Sequence, residues 1–300
     1  MCTCVPAGAG PSSSRPWSTL PPRPRRGPRP STRRLQCRRE WAHAADERGP
    51  RLKYRARVPA PFRPTLRRSW RLFRAFRVEQ TDPDRFYGAL AADSVSQVAH
   101  HAPLDGAWVL DVGGGPGYFA RAFRDAGARY TPLDADLGEL SGLGAPEPGT
   151  VLGSGMQLPF ADGSFDVTYS SNVLEHVPDP WRMADEMVRV TRPGGLVFCS
   201  YTLWWGPWGG HETAPWHYLG GYRAARRYHR LHGHPPKNVF GSSLFAVTAA
   251  AGLRWARERA DVDVVAVVPR YLPRWAWWVL RVPLVREVVT WNLAIVLRRR

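Results

Sequence analysis

VLDVGGGPGYFARAF, residues 109–123, decides the fold. An apolar run reads as a strand holding Asp111 near its end, and Gly113, Gly114, Gly115, Pro116 and Gly117 then turn the chain tightly before a helix. Glycine has no Cβ, so the backbone can take a positive φ and approach a ligand closely. The helix start beyond it offers N–H groups without intrahelical partners and the positive end of a dipole. Alone, such a turn suits nucleotides of many kinds.

The next stretch narrows this. In RYTPLDAD, residues 129–136, Asp134 closes the second strand 17 positions after Gly117. In an open α/β sheet this sets a carboxylate over the neighbouring strand's C-terminal end, where ribose hydroxyls would donate to it. The plainer alternative is a strand-end or helix-capping Asp; the joint occurrence of bend and acid favours the ligand. Strands are predicted at 108–112, 130–133, 150–152, 165–170, 196–202 and 262–268. Helices alternate with them at 118–126, 180–191 and 243–251. That rhythm predicts a Rossmann-like α/β fold, a doubly wound and mostly parallel seven-stranded sheet, with 291–297 entering antiparallel at one edge. A helix over 82–101, capped by Thr81 or Asp82 and with Phe86, Leu90, Val95 and Val98 as its inner side, is expected to cover the mouth of the sheet.

DVGGGPG followed by an acid at the second strand's end resembles the cofactor signature of class I methyltransferases. It departs from the dehydrogenase GxGxxG, since the third glycine follows the second by only two residues. SGMQLPFADGSFDVTYSSNVLEHV at 154–177 resembles the third and fourth motifs of that family, and VTRPGG at 190–195 its turn into strand five. The match runs from about Gly106 to Tyr201. The flanks YGALAAD, SYTLWWGPWGGHE, HYLGG, HGHPPKN, GSSLFAV and PRYLPRWAWW are similar to a bacterial family of methyltransferases without an assigned substrate. The resemblance implies S-adenosyl-L-methionine as cofactor. Asp111, Gly113, Gly115 and Gly117 would meet its methionine part, Asp134 its ribose, and Asn172 would be a further contact. Such families usually place an Asp before the adenine-contacting residue, whereas this chain reads Gly153, Ser154, Gly155, Met156. Ser154 would accept from the adenine amino group, and Met156 would pack on the ring.

A sulfonium already carries an activated methyl group, so the protein's task is to align the acceptor and, for a weak nucleophile, to take its proton. Glu175 and His176 follow strand four at the edge where ligands bind, and an imidazole is a side chain suited to taking a hydroxyl proton. Two readings stand: the pair acts in catalysis, or it orients the loop and touches cofactor. An aromatic-rich insertion at about 203–240, with Trp204, Trp205, Trp208, Trp216, Tyr218 and Tyr222, reads as a lid over an apolar or flat acceptor, and His211, Glu212 and His217 as its polar contacts. The bland reading is a small satellite core. HRLHGH at 229–234 suggests a metal at first sight, but no recognised ligand spacing accompanies it, so no metal is expected.

The charge of +17 lies entirely in residues 1–78, which hold 20 basic and 3 acidic residues, while the remainder is neutral. Only Lys53 and Lys237 are lysines, a bias that needs no phosphate partner. Residues 1–60, dense in Pro, Arg and Ser, are expected to be a disordered tail, leaving 61–300 as the methyltransferase domain. The basic segment at 63–77, with Leu66, Trp70, Leu72, Phe73 and Phe76 close to one helical face, and the stretch RYLPRWAWWVLRVPLVREV each suit packing on the fold or contact with a membrane surface, and packing is preferred. Cys2, Cys4, Cys37 and Cys199 form no CxxC pair, which points to a reducing cytoplasm. The function expected is methyl transfer to a small-molecule or lipid-like acceptor. A nucleic-acid substrate is disfavoured, because strand four ends in SSNV rather than Asn/Asp-Pro-Pro-aromatic and no Pro-Cys nucleophile occurs. RNA methylation and non-catalytic cofactor binding are the alternatives.

Overall fold

The computed structural model describes residues 57–79, 81–140, 142 and 149–300, all within the unit Leu52–Arg300. The tail expected over 1–60 lies, up to residue 56, outside the described residues.

Seven strands form one sheet in the order β3-β2-β1-β4-β5-β7-β6. They are β1 (Trp108–Val112), β2 (Arg129–Asp134), β3 (Val151–Leu152), β4 (Phe165–Ser171), β5 (Thr191–Thr202), β6 (Val262–Pro269) and β7 (Asn292–Arg299). β1 to β5 pair in parallel, and β7 runs antiparallel to both β5 and β6. The mostly parallel sheet thus has its antiparallel strand toward one edge, between β5 and β6. The order reverses between β1 and β4, which makes their junction the topological switch point.

Alternation along the strands divides the core. Leu110, Val112, Val197, Cys199, Tyr201, Leu293, Ile295 and Leu297 point to one face, and Val109, Phe198, Ala294 and Val296 to the other. On the first face pack α5 (Pro180–Val190), through Met183 and Met187, and α7 (Ala249–Glu258), through Trp255 and Ala256. On the second pack α2 (Pro83–Ala99), through Leu90, Val95 and Val98, and α3 (Ala120–Asp125), through Phe123. Asp82 caps α2 by accepting from Arg85 N at 3.1 Å, with Pro83 in the first turn as its fixed φ favours. Asp179 and Pro180 start α5 in the same way.

Three local expectations change. The helix predicted over 243–251 is α7, which starts later because the Thr248 hydroxyl caps it through Ala251 N at 3.1 Å. The preceding residues are drawn out of helical form by long-range bonds: Phe245 N donates to Glu175 O, and Val247 O accepts from Trp204 N. β5 starts at Thr191 rather than 196, since Thr191 pairs with Phe165 ahead of a register shift. In α1 (Leu66–Phe76) the apolar stripe does not all face inward: Arg68, Leu72 and Ala75 are buried, while Leu66 and Trp70 are 63% and 58% exposed. Arg68 wins the inner side by a bidentate pair with Asp93, at 2.6 and 2.7 Å. The remaining helices are α4 (Leu137–Leu140), α6 (Gly221–His232) and α8 (Pro283–Val289).

Candidate active site

The parallel register brings the C-terminal ends of β3, β2, β1 and β4 to one edge. Leu152 pairs with Asp134, Val112 with Leu133, and Asp111 with Tyr169. Residues following these strands therefore converge at the switch point.

After β1, Gly113, Gly115 and Gly117 all take positive φ, +82°, +50° and +90°. They do so for different reasons. A Cβ on Gly113 would stand 2.4 Å from Val173 Cγ2, in the loop after β4, so this glycine lets the two loops touch; a Cβ on Gly115 would meet nothing within 4 Å. The first N–H groups of the bend itself are engaged. Gly113 N and Gly114 N both donate to Leu133 O, at 2.7 and 3.1 Å, and Gly115 N donates to Asp134 Oδ2 at 3.1 Å. What the bend leaves for a ligand is space without side chains.

Asp134 is half-buried, and its other oxygen accepts from Asp136 N at 3.0 Å. A carboxylate has about four acceptor positions, so capacity remains on the open side. Asp111 lies beneath the bend, 1% exposed, and takes a hydrogen bond from the Tyr130 hydroxyl. Burial pushes its carboxyl up to about 7, against the lowering effect of Tyr130. It forms the floor of the site.

Gly153 N donates to Asp134 O at 2.8 Å, which sets the exposed Ser154 beside the acid. The Ser154 hydroxyl accepts from Met156 N at 3.2 Å, and Met156 is half-buried, its carbonyl held by Arg182 Nε at 3.0 Å. Asn172, at φ +57°, turns the chain out of β4; its amide oxygen accepts from Asn292 Nδ2 at 2.6 Å, tying the turn to β7.

Next comes a short 3₁₀ turn, Leu174–His176. Glu175 is 1% exposed, with Oε1 accepting from Thr202 N at 2.9 Å and Oε2 without a hydrogen-bond partner among the described residues. The His176 Nδ1 lies 2.7 Å from Ser243 O. A carbonyl only accepts, so Nδ1 carries a hydrogen. The structure adds His211, whose ring centroid lies 5.0 Å from that of His176. Sequence reading placed His211 among lid contacts, not beside Glu175. Its available signal was Gly209-Gly210: a Cβ on either would lie within 2.5 Å of Trp204 O or of the His217 side chain, so only glycines let this loop fold back.

The rest of the insertion divides. Trp204 and His217 are buried, with ring centroids 5.3 Å apart, so His217 belongs to a satellite core rather than to an acceptor surface. Glu212 holds Asn238 Nδ2 at 2.7 Å. Trp205, Trp208, Trp216, Tyr218 and Tyr222 remain exposed.

A glycine bend and a carboxylate at the switch point of a doubly wound sheet define the class of α/β proteins that hold a small ligand above the strand ends. A methyltransferase-domain family matches residues 110–199. A protein of Mycolicibacterium gilvum described as an uncharacterized methyltransferase is 57% identical over 253 residues, covering 79% of this chain and 96% of that one. One of Mycobacterium tuberculosis with the same description is 56% identical over 245 residues, covering 78% and 96%. Among solved structures, an S-adenosylmethionine-dependent methyltransferase from Mesorhizobium loti aligns with a TM-score of 0.49 at 20% identity, over 70% of this chain and 98% of that one. The chain belongs to the methyltransferase family.

Proposed function

We propose that this methyltransferase uses S-adenosyl-L-methionine and delivers the methyl group to a small, lipid-like acceptor. The observation that carries the cofactor reading is the pairing of a side-chain-free bend over Gly113–Gly117 with the Asp134 carboxylate, bonded to it through Gly115 N and still able to accept two ribose hydroxyls. Bound S-adenosylmethionine supplies a methyl group already activated on sulfur. The bend would accommodate its methionine part, Ser154 would accept from the adenine amino group, and Met156 would lie against the ring. Asn172 would bound the site on the β4 side. On the acceptor side, Glu175 Oε1 and His176 Nδ1 serve the loop, and Glu175 Oε2 is left without a partner among the described residues.

Support for a lipid-like acceptor comes from the surface. α1 exposes Leu66 and Trp70 among Arg67, Arg71 and Arg74. The adjoining 3₁₀ segment Arg274–Arg281, joined to it by Arg274 N to Pro64 O at 2.7 Å, exposes Trp275 and Trp278, and Leu284 follows in α8. Aromatics with arginines suit peripheral contact with an anionic membrane. Among the described residues no helix is long and apolar enough to cross one.

The test incubates the full chain with methyl-labelled S-adenosylmethionine and an extract of the cell that makes it. Label is expected in the organic-soluble fraction; label confined to RNA or to water-soluble products overturns the acceptor reading. Asp134→Asn is expected to weaken cofactor binding by ten- to hundredfold in calorimetry, and an unchanged affinity overturns the ribose assignment.

A further inference from the structure

We propose that Glu175, His176 and His211 form a binding site for one divalent transition-metal ion on the acceptor side of the cleft. Among the described residues these three bring one ligand atom each to within 4.8 Å of one another. Proximity of polar groups would mean little alone, but Glu175 adds a second observation. Its Oε1 is satisfied by Thr202 N, while Oε2 is fully buried and has no partner. A buried carboxylate oxygen without a donor is costly, and such an atom in a folded protein calls for an ion or another donor.

The two imidazoles are prepared to be ligands. His176 donates Nδ1–H to Ser243 O at 2.7 Å, and His211 Nδ1 faces Gly209 O at a longer 3.4 Å. Each arrangement directs the free electron pair to Nε2, and a histidine whose other nitrogen is held by a backbone carbonyl is the usual form of a metal ligand.

A donor for the Glu175 oxygen alone leaves His211 unexplained: its φ of +48° is a conformation side-chain-bearing residues rarely adopt, and the Gly209-Gly210 fold that supports it delivers a second basic nitrogen, not a second acid.

Two nitrogens and one carboxylate oxygen suit Zn²⁺, Co²⁺ or Fe²⁺ better than Mg²⁺ or Ca²⁺, which prefer oxygen shells. Bonds of about 2.0–2.1 Å would draw the three atoms in to about 3.3 Å from one another. Three protein ligands leave a position open for water or for an oxygen of the acceptor. The cluster that looked metal-binding in sequence, His229, His232 and His234, is instead exposed at the end of α6.

The site extends the proposed function only in lying beside the acceptor, so ion uptake and S-adenosylmethionine binding are measured separately on the same full chain. Chelator-stripped protein is titrated with Zn²⁺ by calorimetry and with Co²⁺ by visible absorption, in the unaltered chain, His211→Asn, Glu175→Gln and the control His232→Asn. One ion per chain is expected, with ligand-field bands lacking thiolate charge transfer. Affinity should fall at least hundredfold in His211→Asn and Glu175→Gln and stay within twofold in His232→Asn. Equal uptake by the unaltered chain and His211→Asn, absence of a stoichiometric ion, or a thiolate band overturns the site. If the variants unfold, the cobalt spectrum of the unaltered chain decides alone. Loss of cofactor binding in that chain would sink the cofactor reading and leave the ion result standing.

Discussion

On one side of the switch point, the ends of β1, β2 and β3 carry Gly113, Asp134 and Ser154, held by bonds between neighbouring strands and loops: Gly113 N to Leu133 O, Gly115 N to Asp134, Gly153 N to Asp134 O. On the other side, β4 and β5 carry Asn172, Glu175 and His176, and their partners come from far along the chain: Asn292, Thr202, Ser243 and His211. The first side is built by a local strand-turn-helix unit and its neighbour, and the second by a long connection that returns to the sheet. A ligand shared by many proteins fits the first kind of construction, while a particular acceptor fits the second, where insertions vary without disturbing the sheet.

The two sides meet where Gly113 touches Val173, and the largest effect is expected there. Gly113→Ala places a methyl 2.4 Å from Val173 Cγ2 at φ +82°. Left-handed strain of about 1–2 kcal/mol adds to overpacking of about 1–3 kcal/mol. Cofactor affinity is expected to fall by about a hundredfold or more, with a lowered Tm. Gly115→Ala carries only the strain, because nothing lies within 4 Å of its added methyl. Calorimetry on the two variants measures the contact between the sides; equal losses would show that backbone conformation alone, not that contact, is what Gly113 provides.

Next comes the floor of the local side. Burial raises the folded-state pKa of Asp111 to about 7 from 3.8, so between those values the folded protein holds a proton that the unfolded chain has lost. Stability from this group is therefore full below about 4, declines as pH rises through that window, and levels off above about 7. From pH 5 to 8 the decline is on the order of 2 kcal/mol. Asp111→Asn removes the titration while keeping an oxygen for the Tyr130 hydroxyl. Its Tm is expected to gain on that of the unaltered chain as pH rises from 5 to 8; parallel Tm curves would mean that Asp111 is ionised throughout.

The same contrast governs what the sequence made legible. The sheet, its switch point and the pairing of the glycine bend with Asp134 follow from short-range signals: alternating apolar residues, glycine, an acid at a fixed offset, and caps such as Asp82-Pro83 and Asp179-Pro180. Period and turn chemistry act over a few residues, and reading them needs no knowledge of distant partners. The engagement of the bend's N–H groups was hidden because Leu133 O reaches them from the next strand. His211 was hidden because its place beside His176 depends on the path of the whole connection, and His217, equally polar in sequence, went into a satellite core. The apolar stripe of α1 misled because a buried Arg68–Asp93 pair outweighed the burial of Leu66 and Trp70.

The smallest effect is expected at Ser154, the outermost residue of the local side. Its hydroxyl accepts from Met156 N, a bond of the exposed loop that water can replace. Ser154→Ala therefore leaves Tm nearly unchanged. If the hydroxyl also accepts from the adenine amino group, its loss removes one neutral hydrogen bond, about 0.5–1.5 kcal/mol, or a two- to tenfold weakening of S-adenosylmethionine binding. Ser154→Asp separates this contact from the loop, since a carboxylate accepts more strongly than a hydroxyl. Affinity is then expected to exceed that of the unaltered chain. A loss in both variants would show that Ser154 shapes the turn toward Met156 and does not touch the base.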